Sequence, residues 1–139
     1  METFGGGPRF TARSRQEDQR EFPLQRPVVV PVTTVTTNNT TLHTVADGYH
    51  MLVRDFGVCN IAGANVAITV YLVPSGGSAS AANKVYDGYT VLANDSGTLT
   101  ALIGSTLEPG DFIVCDTDNA TGCNFWLDGI EFSGGVPGV

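Results

Sequence analysis

Two histidines, His43 and His50, and five acids in the last third of the chain, Asp111, Asp116, Asp118, Asp128 and Glu131, are the residues best equipped for chemistry. A nucleophilic enzyme needs a Ser, Cys or Thr beside a base. Both histidines fall on or beside predicted strands, and the chain has no G-x-S-x-G elbow. A strand-borne histidine facing solvent or a subunit partner is the plainer reading. Paired carboxylates could support glycoside hydrolysis. Most of these acids instead sit at predicted turns or on the outer face of a strand, where they stabilise the turn or keep the surface soluble. Residues 116–122 (DTDNATG) resemble the opening of an oxygen-ligand calcium loop, with carboxylates at alternate positions before a glycine. The later bidentate acid is missing, since Trp126, Leu127 and Asp128 follow, so a hairpin loop without metal is expected. Asn119, Ala120 and Thr121 form a glycosylation sequon, which matters only in a secreted eukaryotic protein. No phosphate-loop or dinucleotide fingerprint is present. The expectation is a protein with no enzymatic activity and no cofactor.

Cys59, Cys115 and Cys123 make an odd count in a chain that shows no export signal, and reduced thiols are the default expectation. Cys115 and Cys123 flank a polar loop, so a disulfide across a hairpin is the alternative, provided the Cα atoms lie within about 7 Å. Without a CxxC pair, two histidines cannot complete a zinc-finger pattern. No apolar run approaches the roughly 18 residues needed to cross a bilayer. The start of the chain lacks a continuous apolar segment, so neither a signal peptide nor a membrane association is expected.

Charge divides the chain into two unlike stretches. Residues 1–27 hold five arginines against four acids, a net of +1, while residues 28–139 hold Arg54 and Lys84 against ten acids, a net of −8. An acidic body is a poor nucleic-acid binder, because binding depends on neutralising phosphates. Residues 1–27 lack hydrophobic periodicity and cannot bury enough surface to offset the entropy of ordering themselves. They are expected to form an extended arm. Residues 28–133 should form one β domain able to fold without metals or disulfides, and residues 134–139 a flexible tail.

The elements follow from period and punctuation. Residues 28–35 suit a strand that Pro27 and Pro31 push to a sheet edge. Residues 41–45 form a second strand, closed by Asp47 and Gly48. Residues 49–60 are apolar, but their alternation slips near Asp55 and Gly57, where a bulge is expected. The clearest strand is 66–73, with Val66, Ile68, Val70 and Leu72 on one face. Residues 79–84 could form one helical turn. Further strands are expected at 85–92 and 99–103, and a type II turn at 107–111. Residues 112–115 and 124–132 should then pair as a hairpin. Seven or eight strands with turns about every ten residues fit an all-β antiparallel β-sandwich, jelly-roll-like or immunoglobulin-like.

Phe112 and Phe125 should fill the core between the sheets. Phe4, Phe10 and Phe22 are spaced along the polar arm and could anchor in pockets of another chain. Arg9, Arg13, Arg15, Arg20 and Arg26 could each hold a partner carboxylate through two bonds. An alternative from another class is a carbohydrate-binding module, with Tyr86, Tyr89 and Trp126 as the exposed aromatics.

Three passages carry a resemblance: VAITVYLVPSGGSAS at 66–80 followed by AANKVYD at 81–87, LEPGD at 107–111, and FWLDGIEF at 125–132. Together they resemble a group of small β-sandwich virion proteins of tailed bacteriophages, over about half the chain. The resemblance implies a non-enzymatic capsid cement or decoration subunit. Its partner would be the major capsid protein, it would commonly assemble as a trimer, and it would be located in the virion after assembly in the bacterial cytoplasm. A tail, baseplate or fibre-attachment component is the alternative within the same resemblance. Residues 1–27 have no counterpart in it, and no catalytic residues transfer.

Overall fold

The structure, a computed structural model, describes residues 24–133. Nine strands account for most of them: β1 (Gln25–Val35), β2 (Thr40–Thr44), β3 (Tyr49–Asn60), β4 (Val66–Val73), β5 (Lys84–Val91), β6 (Ser96–Thr98), β7 (Thr106–Leu107), β8 (Phe112–Thr117) and β9 (Cys123–Ser133). A single 3-10 turn, Ala81–Asn83, precedes β5, where one helical turn is expected.

The strands form two antiparallel sheets, β1-β9-β3-β6, with β7 also on β3, and β2-β8-β4-β5. β6 and β7 share one strand position along β3. Counted so, the first strand pairs with the last, the second with the next to last, and so inward to β4 with β5. That nested order is a long hairpin rolled into two sheets, the jelly-roll arrangement. It decides between the two sandwich types left open by the sequence.

Alternation along each strand supplies the core. Val66, Ile68 and Val70 of β4 point inward, opposite Met51, Val53, Phe56 and Val58 of β3 and Phe125 and Leu127 of β9. The Phe56 and Phe125 rings stack with centroids 6.3 Å apart. Phe112 is only half-buried. Leu72 packs at the margin of the core. Val73, on the opposite face of β4, is also buried, because the following loop turns back over it.

The expected bulge in β3 lies at Arg54, where Val53 and Asp55 pair with consecutive residues Gly129 and Asp128 of β9. Gly57 sits directly across from Trp126, and a Cβ there would collide with the indole ring. Only glycine allows that close approach. The type II turn also forms: the Asp111 amide donates to the Glu108 carbonyl at 3.1 Å, and Gly110 takes φ 84, a left-handed value that glycine tolerates.

Two expected elements are corrected. Residues 112–115 and 124–132 do not pair as a hairpin. β8 lies between β2 and β4, and β9 between β1 and β3, so each is central in its own sheet and the 118–122 loop crosses between them. Residues 99–103 form a turn rather than a strand. Leu99 and Leu102 are both buried, and their spacing of three suits a turn that plugs the core, not a two-residue alternation. The ends of this segment still bond to β3: Leu99 N donates to Phe56 O and Gly104 N to Val53 O, both at 2.8 Å.

Candidate functional site at the start of strand β1

β1 begins at Gln25, so Gln25, Arg26 and Pro27 belong to the β body rather than to the segment before it. Here the first and last strands meet. The Leu24 amide donates to Ser133 Oγ at 3.2 Å, and the Ser133 amide donates to Leu24 O at 2.8 Å. One step inward lies Glu131, which is 2% exposed. Arg26 donates to its Oε1 from Nε at 3.0 Å and from Nη2 at 2.7 Å. His43 Nε2 lies 2.9 Å from Oε2, and the Ala46 amide donates to the same oxygen at 3.3 Å. The Arg26 guanidinium also lies over the Tyr49 ring, 4.1 Å from its centroid.

This cluster ties both sheets and the turn after β2 to one carboxylate. Burial pushes the Glu131 carboxyl upward, but the hydrogen bonds from Arg26, His43 and Ala46 together outweigh it, so the group ionises below its ordinary range. Glu131 was expected on an outer strand face. Its parity with the inward Phe125 and Leu127 was the available signal that it points in. His43 was expected to face solvent or a partner, and instead meets Glu131. His50 stacks on Phe132, ring centroids 5.7 Å apart, with Nε2 3.5 Å from Glu108.

Two of the other acids bond backbone amides. Asp111 accepts from the amides of Glu108 and Ser75. In the 116–122 loop, Asp118 accepts from the Ala67 amide, and Asn119 Oδ1 accepts from the amides of Thr121 and Gly122. Among the described residues no three His, Cys, Asp or Glu side chains converge on a possible metal position. Burial, with a smaller contribution from Asp118, raises the Asp116 carboxyl.

All three cysteines are free thiols. Cys115 and Cys123 are buried on strands of different sheets, so no hairpin brings them face to face. Burial pushes the Cys115 thiol well above its ordinary range and, with contributions from Cys59 and Asp118, the Cys123 thiol to about 11.

Tyr86 and Tyr89 meet edge to face on β5, with centroids 5.4 Å apart. Trp126 lies on the other sheet, half-buried, with Nε1 donating to Asp55 at 3.2 Å. The three aromatics therefore share no common platform. Of the expected partner contacts, Arg26 is in the cluster above, half-exposed. Phe4, Arg9, Phe10, Arg13, Arg15, Arg20 and Phe22 lie outside the described residues. Beside Arg26, a cleft of about 540 Å³ opens along β1, lined by Pro27, Val29, Arg54, Asp128 and Ile130 among others.

No family model matches the sequence, and no curated protein is significantly similar to it. Among solved structures, a chain of the Bacillus endospore appendages, which form disulfide-linked pili, is similar at a TM-score of 0.50 and 12% identity, covering 81% of this chain and 88% of that one. A chain of the T13 IBDV viral particle is similar at 0.43 and 9% identity, covering 80% and 31%. The infectious bursal disease virus VP2 subviral particle gives 0.36 and 12%, covering 79% and 32%. The chain thus spans about a third of the length of these two virus chains. At such identities the likeness to the appendage chain is one of fold.

Proposed function

We propose that this chain is a non-enzymatic structural subunit of a bacteriophage virion, a capsid cement or decoration protein held on the shell by residues 1–23. The observation that carries the reading is the fastening at the start of β1. A buried, multiply bonded carboxylate secures the first residues after this segment to both sheets. Such a root would pass any pull on the arm into the body instead of peeling β1 away. In the arm, Arg9, Arg13, Arg15 and Arg20 would pair with capsid carboxylates, and Phe4, Phe10 and Phe22 would fill apolar hollows. Each ordered residue costs entropy, so several contacts together are needed to hold it. The fold shared with a pilus-forming appendage chain is in keeping with a subunit of an assembled particle.

The test compares full-length protein with a chain lacking residues 1–23 for binding to undecorated capsids. The truncated chain should remain folded and lose binding. Full occupancy by the truncated chain would sink the proposal. Copy number in purified virions should match the capsid lattice, in the hundreds. A few to a few dozen copies would assign the protein to the tail.

A further inference from the structure

β9 is central in its sheet, and its alternation turns Phe125 and Leu127 into the core and Trp126, Asp128 and Ile130 to the outer face. On the neighbouring β3, the bulge puts two residues, Arg54 and Asp55, between the inward Val53 and Phe56, and Arg54 is exposed. On β1, the exposed Pro27 and Val29 pair with Ile130 and Asp128. Pro27, Val29, Arg54, Asp128 and Ile130 line the cleft of about 540 Å³, a volume in the range of small-ligand sites.

Trp126 stands at one end of this cleft, two residues before Asp128 on the same face and about 7 Å away along the strand. Its six-membered ring occupies the space that a Gly57 Cβ would take, so the indole rests over the β3 backbone. Nε1 donates to Asp55 Oδ2 at 3.2 Å, which holds the ring there. The half-buried indole thus turns its outer surface to solvent and is fixed before any ligand arrives, which lowers the entropy cost of binding.

Charges within the cleft balance. Arg26 is neutralised by Glu131. Arg54 and Asp128 form no ion pair among the described residues, with each other or with any other group. One planar donor and one acceptor therefore stand open beside an apolar floor and an aromatic ring. A charged ligand would satisfy one and meet a like charge on the other. A neutral ligand that both donates and accepts satisfies the two together. A sugar ring supplies the rest of the match, because its C–H face is apolar and suits an indole, while its hydroxyls project around its rim.

We infer that the outer face of the β1-β9-β3 sheet binds a neutral oligosaccharide, with one sugar ring stacked on Trp126 and the next in the cleft, its hydroxyls bonded to Arg54 and Asp128. Tyr86 and Tyr89, on the other sheet, take no part. Binding at this face does not depend on what residues 1–23 grip.

The test begins with full-length protein on an array of neutral and anionic oligosaccharides. Neutral sugars should bind and anionic ones should not. The tightest neutral oligosaccharide is then titrated in solution. Trp126 is the single tryptophan of the chain, so its fluorescence reports this face alone and should shift with the midpoint found by calorimetry. Arg54→Ala and Asp128→Ala should each weaken binding about tenfold, and Trp126→Ala at least as much. Neither Arg54 nor Asp128 holds an ion pair, so the first two variants should melt near wild type even where Trp126→Ala fails to fold. Tyr89→Ala should bind as wild type does. No neutral sugar bound, binding to anionic sugars only, an unchanged tryptophan signal, or full affinity in Arg54→Ala and Asp128→Ala would overturn the inference. So would self-association of wild type in sedimentation that Val29→Glu abolishes, since a second copy would then cover the face.

Discussion

A carboxylate that is 2% exposed would be costly without partners, yet Glu131 has four hydrogen bonds. Its lowered ionisation range makes a directional prediction. A group whose folded pKa is depressed stabilises the fold above its unfolded value, near pH 4.5, and loses that contribution as pH falls through the folded value. Glu131→Gln should therefore cost about 1–3 kcal/mol at neutral pH, less than a fully buried pair because Arg26 can turn to water. Urea melts should show the gap between wild type and variant narrowing as pH drops below about 4.5. A gap that stays constant to pH 3 would contradict the assignment. The cysteines allow a second check. The thiolate is the reactive species, and burial holds Cys115 and Cys123 protonated. An aromatic disulfide reagent at pH 8 should label at most Cys59 in the native chain and all three thiols after unfolding.

At the scale of elements, the interrupted strand position beside β3 is the least regular part of the fold. β6 and β7 supply three and two residues, and the segment between them follows β3 only at its ends. Its stability must come from packing, through Leu99 and Leu102, which are buried although neither lies in a strand. Leu102→Ala should cost about 2–5 kcal/mol by denaturant unfolding, the range for a core leucine. A cost below about 0.5 kcal/mol would mean that the turn is a loose surface loop. The bulge at Pro31 and Val32 adds twist to β1, which would otherwise present a flat edge, and the one at Arg54 bends the inner strand β3.

For the whole molecule, the position of Arg26 changes where the chain can be cut. It was grouped with the arm on composition, yet it stands in β1 and bonds Glu131. A chain lacking residues 1–23 should melt within a few degrees of the full chain. One lacking residues 1–26 loses Arg26 and the first two β1 positions, leaves Glu131 short of its main partner, and should melt measurably lower. Equal melting temperatures for the two truncations would show that the cluster contributes little to the body.

Much of the body was legible one strand at a time. The period of two over 66–73, the turn residues Asp47 and Gly48, and Pro109 followed by Gly110 report local backbone preferences, which neighbours along the chain already impose. The slip near Asp55 was legible for the same reason. Partnership between strands was not. Residues 112–115 and 124–132 read as a hairpin because they are near in sequence, whereas burying both apolar faces places them in opposite sheets. Leu99 and Leu102 read as a strand because β propensity ignores what the core still needs filled. Glu131 read as a surface acid because its charge outweighed its parity, until Arg26 and His43, roughly 90 to 105 residues away in the chain, were brought beside it. Composition and periodicity alone determined that this is an all-β domain preceded by a segment of unlike charge. The jelly-roll order and the inward carboxylate were decided only in three dimensions, because each depends on which distant residues share the limited space of one core.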